Sequence, residues 1–327
     1  EGVVDETIRN QFIDKLIEVN KLIEADNLTK DNDLSFNAIN SLAGQLVHIL
    51  YRIIENNQIT PFFKQSVDKL LDPTNPNLAY TVFVLAENLN WLYSQDNDWT
   101  TKNLIPFSNY SDDTVRLGFW LGVLFGRIPS NQLFLTLKTG ILSLDVQRIN
   151  SSLNHDFIQK YLSIILSGWL TTAINSKESL ITSKEFRKVI EKYPDYLSSI
   201  VGQLRLWSSE QEVLHQVPNF FINIYPHQNQ YKTQKNNSKL LEFLFDSETA
   251  FVESYKSILP LLTVSTEQYH HFVYTLENEV NSSIIQQYPD KVLDVLNIIL
   301  PNNPNLWFYN AYKLLEVIES IHPSLTD

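Results

Sequence analysis

The stretch DDTVRLGFWLGVLFGRIPS (residues 112–130) contains three of the eight glycines of the chain, Gly118, Gly122 and Gly126. Residues four apart share one face of a helix, so these glycines form a ridge on which another backbone can pack closely. Each glycine destabilises a helix by about 1 kcal/mol relative to alanine, which indicates a packing role for three in series. We therefore predict a central buried helix over 112–128 with this glycine ridge against a neighbouring helix. The alternative is a ligand or a partner helix lying on the ridge.

The apolar run 117–126 within this stretch is ten residues long, and an arginine closes it at each end. A helix needs roughly 18–20 apolar residues to cross a bilayer, so this run is too short, and no other run reaches that length. We expect Asp112 or Asp113 to cap the N-terminus of the helix and Pro129 to follow its end. The sequence thus predicts a packed helix here and no membrane partner.

The composition of the 327 residues is typical of a globular helical protein. Hydrophobic residues make up 43% and charged residues 19%, and glycine is too scarce for the many turns of an all-β fold. A net charge of −12 repels phosphate backbones, so we predict no nucleic-acid partner. Cysteine is absent, which excludes disulfides and thiolate metal sites. Methionine is absent even at position 1, so we expect a fragment, a processed product or a sequence that has lost its methionines.

Helical periodicity recurs along nearly the whole chain. Residues 7–24 form the first predicted helix, whose apolar residues share one broad stripe: Ile8, Phe12, Leu16, Ile17, Val19, Leu22 and Ile23. Residues 35–55 and 72–93 are each predicted as one further helix. KYPDYLSSIVGQL (192–204) is similar to QYPDKVLDVLNIIL (287–300), with a proline turn leading into a helix in both. We predict an all-α fold, an irregular helical-repeat (α-solenoid-like) stack formed as one body or as two subdomains.

The stretch PNFFINIYPHQNQYKTQKNNSK (218–239) interrupts this periodicity, because it is rich in Asn and Gln and contains two prolines. We predict a polar loop or linker at 218–239, between an N-terminal helical subdomain (1–217) and a C-terminal helical subdomain (240–327). The best candidates for a phosphate contact are three lysines of this stretch, Lys232, Lys235 and Lys239. The alternative for these lysines is a solvated polar loop.

The chain has no recognisable catalytic motif. GxxxxGK[ST], GxGxxG, G-x-S-x-G and HExxH are all absent, and the seven histidines have no metal-ligand spacing. Glu87 stands in the otherwise apolar helix 79–93 as either a buried functional carboxylate or a solvated or paired residue at the edge of the stripe. We therefore predict no catalytic residue, no metal and no cofactor.

Trp99 lies in QDNDWTTKN (95–103), a stretch that is rich in Asp and Asn and is predicted to be a loop. The other five tryptophans are assigned to the helical core, but the flanks of Trp99 are polar. An exposed aromatic residue is a common anchor of protein interfaces. Trp99 is therefore our candidate partner contact, with core packing as the alternative.

Residues 103–144, NLIPFSNYSDDTVRLGFWLGVLFGRIPSNQLFLTLKTGILSL, combine a Leu-Pro-Phe string, an acidic turn, a glycine-rich aromatic helix and a second apolar helix. The matching residues are Leu104, Pro106 and Phe107, then Gly118–Phe125, then Leu133, Phe134, Leu137 and Lys138. This pattern resembles the helical C-terminal domain of bacterial sirtuin-like anti-phage defence proteins. The same resemblance extends to SLITSKEFRKVI (179–190) and to the segments 258–269, 288–307 and 312–327.

The resemblance implies that an NAD-consuming domain lies upstream, outside this chain. It also implies that this portion is the sensing, regulatory or assembly module of the protein. It assigns no catalytic residue here. We expect a cytoplasmic protein whose partner is a phage protein or another copy of itself. Two alternatives stay open: a free-standing helical adaptor or scaffold, and an enzyme whose site is assembled from scattered Asp, Glu, His and Tyr side chains.

Overall fold

A computed structural model describes residues 5–23, 34–54, 58–147, 157–175, 180–266, 283–308 and 311–323. Within these ranges the chain forms α-helices and short 3₁₀ helices, with no β-strand. This confirms the predicted all-α fold; the helical-repeat stack stays a prediction. The chain divides into two compact units, Glu1–Ile164 and Ile165–Asp327, and the helix Phe157–Ile174 contains the division.

Unit 1 (Glu1–Ile164) is built from helices of seven to seventeen residues. They are α1 (Glu6–Leu22), α2 (Leu34–Asn40), α3 (Leu42–Arg52), α4 (Pro61–Leu70), α5 (Leu78–Glu87), α6 (Leu89–Gln95), α7 (Asn97–Asn103), α8 (Asp113–Phe125) and α9 (Asn131–Ser143). A 3₁₀ helix, Ile105–Asn109, joins α7 to α8, and α10 (Phe157–Ile174) begins in this unit.

Unit 2 (Ile165–Asp327) contains the rest of α10 and a further series of helices. They are α11 (Ser183–Lys192), α12 (Leu197–Trp207), α13 (Gln211–Leu214), α14 (Val217–Asn223), α15 (Gln234–Leu244), α16 (Glu248–Ile258), α17 (Ser283–Gln287), α18 (Pro289–Ile299) and α19 (Ala311–Ile321). The 3₁₀ helices of this unit are Pro194–Tyr196, Asn229–Tyr231, Leu259–Leu261 and Pro304–Leu306.

Short polar side chains divide segments that we predicted as single helices. The Ser41 hydroxyl accepts a hydrogen bond from the Gly44 N–H at 3.0 Å, so the predicted helix 35–55 becomes α2 and α3. Asn88 ends α5 and precedes α6 within the predicted helix 72–93. The Ser41 hydroxyl thus satisfies a free N–H group at the start of α3, whereas the Asn88 side chain makes no such cap and donates back to the Val84 carbonyl at 3.3 Å.

The polar stretch 218–239 is packed into unit 2, whereas we predicted a loop or linker there. It holds most of α14, the 3₁₀ helix Asn229–Tyr231 and the first turns of α15. Its amides bond to the segment that follows α16: the Thr263 N–H donates to Asn237 Oδ1 at 3.0 Å, and the Thr266 N–H donates to Gln234 Oε1 at 2.9 Å. The division between the units falls at Ile164/Ile165 instead.

The helix α5 lies at the centre of unit 1. Every residue from Leu78 to Ala86 is buried, and the helix contacts α2, α3 and α8. A helix that is apolar on all sides requires neighbours on all sides. Its last residue, Glu87, is half-buried and therefore marks the point where α5 reaches the edge of the core.

Candidate functional site

The glycine ridge of α8 lies directly against α5. A methyl group on the Cα of Gly118 would come within 2.6 Å of the Ala79 carbonyl oxygen. The corresponding groups on Gly122 and Gly126 would lie closer still to the carbonyl oxygens of Phe83 and Glu87. The ridge therefore packs inside the unit. Asp112 caps the helix, accepting from the Thr114 and Val115 N–H groups at 2.8 and 3.0 Å.

This close packing fixes the position of Glu87, because Gly126 meets the Glu87 carbonyl oxygen itself. Beside Glu87 is an open pocket of about 610 Å³ in unit 1. We call it the α3–α6 pocket, and it is lined by His48, Tyr51, Ile54, Glu87, Asn88 and Trp91. The α3 residues come from one face, since positions 48 and 51 are three apart on a helix.

Tyr51 carries a buried polar group beneath the wall of this pocket. Its hydroxyl is inaccessible to water and has no hydrogen-bond partner among the described residues. Burial raises the pKa of the Tyr51 hydroxyl well above its ordinary value, and the negative charge of Glu87 raises it further. The hydroxyl is therefore neutral at physiological pH and keeps both a proton to donate and lone pairs that can accept.

The aromatic rings around Tyr51 form a small cluster. Its ring centroid lies 5.7 Å from that of Trp91, with the two planes at 76°, and 5.5 Å from that of Phe63. Phe63 is fully buried, whereas Tyr51 and Trp91 are half-buried at the pocket. The wall of the pocket thus carries aromatic rings, a carboxylate and an imidazole.

The Glu87 carboxylate forms no ion pair with a Lys, Arg or His within the described part of the chain. It sits at the C-terminus of α5, where the helix dipole disfavours negative charge. The sequence left open a buried functional carboxylate or a solvated or paired residue at the edge of the stripe. Glu87 is half-buried, and no ion pair to it is seen in these ranges. The carboxylate instead lines a pocket.

A larger cavity, of about 750 Å³, lies between α8 and α9, but its main polar side chains already have partners. Arg116 pairs with Asp113 and donates to the Tyr110 carbonyl at 2.8 Å. Trp120 Nε1 donates to the Ser108 carbonyl at 3.0 Å.

Trp99 lies on a helix, not on the predicted loop. The Asp96 carboxylate accepts from the Trp99 N–H at 2.9 Å and starts α7. The indole is half-buried, and its ring meets that of Phe63 at 6.3 Å between centroids. Its role as a partner contact stays a prediction.

The three candidate lysines have different surroundings. Lys232 Nζ donates to the Pro260 carbonyl at 2.9 Å, Lys239 pairs with Glu242, and Lys235 is exposed. No three His, Cys, Asp or Glu side chains come together as a metal site in the part of the chain that the structure describes. The histidines His155, His270 and His271 lie outside the described residues.

The outer face of α1 is exposed, which the apolar periodicity of residues 7–24 did not predict. The predicted broad stripe divides into two faces: Ile13 and Ile17 are buried, whereas Phe12 is 60% exposed and Leu22 83% exposed. The exposed set shares one side of the helix: Ile8, Phe12, Val19, Leu22 and Ile23. We call this set the α1 apolar face.

Three buried asparagines hold α1 in place. Asn77 Nδ2 donates to the Asn20 carbonyl at 3.0 Å and to the Ile23 carbonyl at 2.9 Å, at the C-terminal end of α1. Asn20 Nδ2 donates to Asn75 Oδ1 at 3.3 Å. The two Asn77 bonds satisfy carbonyls of the kind that every helix end leaves free. The α1 apolar face is therefore presented by an anchored helix.

No protein-family model matches the chain, and neither curated proteins nor solved structures give a significant match. Over the ranges that the structure describes, none of the helices has both the length and the apolar character required to cross a membrane.

Proposed function

We propose that this chain is a non-catalytic helical interaction module that binds a protein partner through the α1 apolar face. The observation that carries the proposal is this row of exposed, helically spaced apolar side chains on an anchored helix. Exposed apolar surface of this kind is costly in water and is a common mark of a protein-binding surface. Its spacing suits an amphipathic helix of the partner.

The partner is a protein of net positive charge. This chain carries a net charge of −12, whereas Glu6 and Glu18 of α1 pair with Arg9 and Lys21, so the attraction comes from the whole chain and not from α1. An acidic surface attracts a basic partner and disfavours association with a second copy of equal charge. By the family resemblance, this module is the sensing, regulatory or assembly portion of a larger cytoplasmic defence protein, and the partner is a phage protein.

Capture from lysates of phage-infected and uninfected cells tests the proposal, with a cross-linker that joins lysine amines. Lys15 is exposed and lies between Phe12 and Val19 on α1, so it marks this face directly. We expect one protein to be captured from infected lysate and cross-linked at Lys15. Phe12→Ser should abolish this product, whereas Gln11→Ser, at the neighbouring exposed position, should retain it.

Two outcomes would change the assignment. If the only cross-link joins Lys15 of one copy to Lys15 of another, the face serves assembly of this chain with itself. If Phe12→Ser captures the same proteins as wild type, the α1 apolar face is not the interface and the proposal fails. Circular dichroism of each variant establishes that the helices are intact.

A further inference from the structure

The exposed side of α1 has the residue spacing of a coiled coil. Five exposed residues follow one another in alternating steps of four and three, and we call them the α1 seam: Ile8, Phe12, Lys15, Val19 and Leu22. Such alternation places side chains in one line along a helix, where a second helix can pack against them. The buried residues Ile13 and Ile17 lie off this line. The helix α1 therefore has two lines of apolar residues, one in the core and one facing water.

Unit 1 holds α1 in place, which favours binding through so short a seam. The helix has 17 residues, enough for about two heptads, whereas free coiled coils usually need three or four. Asp14 pairs with Lys69 at 2.8 Å, and Lys21 pairs with Asp72 at 3.7 Å. Because these contacts order α1 before binding, only the partner helix loses conformational freedom when the two meet.

Lys15 lies at the middle of the α1 seam and decides which partner fits. It is exposed and forms no ion pair within the part of the chain that the structure describes. A lysine at one position of an apolar seam lowers stability and selects register and partner. Its stem can lie along the apolar contact while its ammonium group reaches the rim. A carboxylate on the partner at this height would meet that ammonium group.

Lys15 also disfavours pairing between two copies of this chain. The apolar seam residues are placed symmetrically about it, with Phe12 and Val19 nearest and Ile8 and Leu22 at the ends. Two copies that align these residues, in parallel or in antiparallel, bring their two Lys15 side chains together at the centre. Like charges in contact across an interface repel, so a partner with the opposite charge at this position fits better.

We propose that the α1 seam pairs with an amphipathic helix of another protein that has apolar residues at heptad spacing and a Glu or Asp facing Lys15. This inference rests on the proposed function, because it specifies the partner of the same face. The apolar contacts supply the affinity. The contact between Lys15 and the carboxylate sets the register and rejects helices that carry a cation at this position.

Two synthetic helical peptides test the proposal. Each has five seam positions spaced as in α1, with Leu at the outer four, and the middle position is Glu in one peptide and Lys in the other. Fluorescence anisotropy of each labelled peptide, kept at nanomolar concentration so that it does not pair with itself, is followed as the full chain is added. We expect the Glu peptide to bind with a dissociation constant of about micromolar, roughly tenfold more tightly than the Lys peptide.

The net charge of the chain makes this comparison strict. At −12 the chain attracts the Lys peptide more than the Glu peptide at long range, so a preference for Glu has to come from a local contact. Lys15→Glu should reverse the preference between the two peptides. Lys184→Glu makes the same charge change at an exposed position of α11 in unit 2, and it should leave the preference as in wild type.

Two results would overturn the proposal while leaving the proposed function intact. They are equal affinity of the wild-type chain for the two peptides, and an unchanged preference in a folded Lys15→Glu protein; the first needs no variant to fold. In either case the face binds a helix without selection at Lys15. Binding of neither peptide also overturns the proposal, and the capture experiment with Phe12→Ser then decides independently whether the α1 apolar face is an interface.

Discussion

Single glycines of this chain have opposite structural roles, and alanine substitution separates them. An added methyl group at Gly122 would collide with the Phe83 carbonyl, and backbone cannot move as a flexible side chain does. At Gly202, in the interior of α12, the same methyl group would meet nothing within 4 Å. The difference between the two sites is the distance to the neighbouring helix.

We predict that Gly122→Ala destabilises the protein by roughly 1–3 kcal/mol through overpacking, although alanine is the better helix former. Gly202→Ala should stabilise it by about 0.5–1 kcal/mol, because helix propensity acts there without a clash. Urea unfolding of both variants measures the two changes. Equal stabilisation by both would show that α5 and α8 are not in contact at Gly122.

The sequence identified the glycine ridge because its spacing is local, four residues along one helix. It did not identify the α3–α6 pocket, because His48, Tyr51 and Glu87 come together only when α3 packs beside the end of α5. Glu87 was noticeable as a charge in an apolar helix, but its surroundings depend on residues about 35–40 positions away. A site of this kind is determined by tertiary packing and leaves no sequence pattern.

At the scale of a helix, α7 shows how one side chain turns a polar stretch into a regular element. The Asp96 carboxylate pairs with Lys64 and accepts from the Trp99 N–H at 2.9 Å. Composition alone favours a loop over 94–103, since Asp and Asn are common in turns. The cap and the ion pair outweigh that preference, and they place Trp99 on a helix beside Phe63.

The Asp96 cap should make the stability of the protein sensitive to acid. The Lys64 ammonium and then the Trp99 N–H hold the pKa of the Asp96 carboxyl below its ordinary value. Its contribution is therefore full above the ordinary aspartate pKa of about 3.9 and is lost as the pH falls through the lower folded value. Asp96→Asn should cost up to about 1 kcal/mol at pH 7 and progressively less as the pH falls below 4.

Unfolding by urea at pH 7 and pH 3 measures this change. Asp98→Asn is the control, because Asp98 is an exposed carboxylate in the first turn of the same helix. The control should show a smaller difference between the two pH values. An undiminished effect of Asp96→Asn at pH 3 would contradict the ion-pair explanation.

At the scale of the whole chain, each unit has a core of its own. Unit 1 is centred on α5, and unit 2 includes a buried aromatic cluster that contains Trp169, Phe186 and Phe220. From the composition of residues 218–239 we predicted a boundary there, because Asn and Gln are common in linkers. In this chain those amides satisfy backbone groups of the segment 263–266, so a polar stretch belongs to a packed unit.

Because each unit has a core of its own, we predict that a destabilising substitution in one unit does not increase hydrogen exchange in the other. Gly122→Ala should raise hydrogen exchange in α5 and α8, and Asn237→Ala should raise it in α15 and at Thr263, whose N–H bonds to Asn237. Contiguous cooperative regions open together, so each variant should leave the slowest amides of the other unit unchanged. Mass spectrometry of peptides after exchange in native buffer measures both patterns in one experiment. Faster exchange across both units in either variant would mean that the chain opens as a single cooperative body, because the loss of one core would then expose the other.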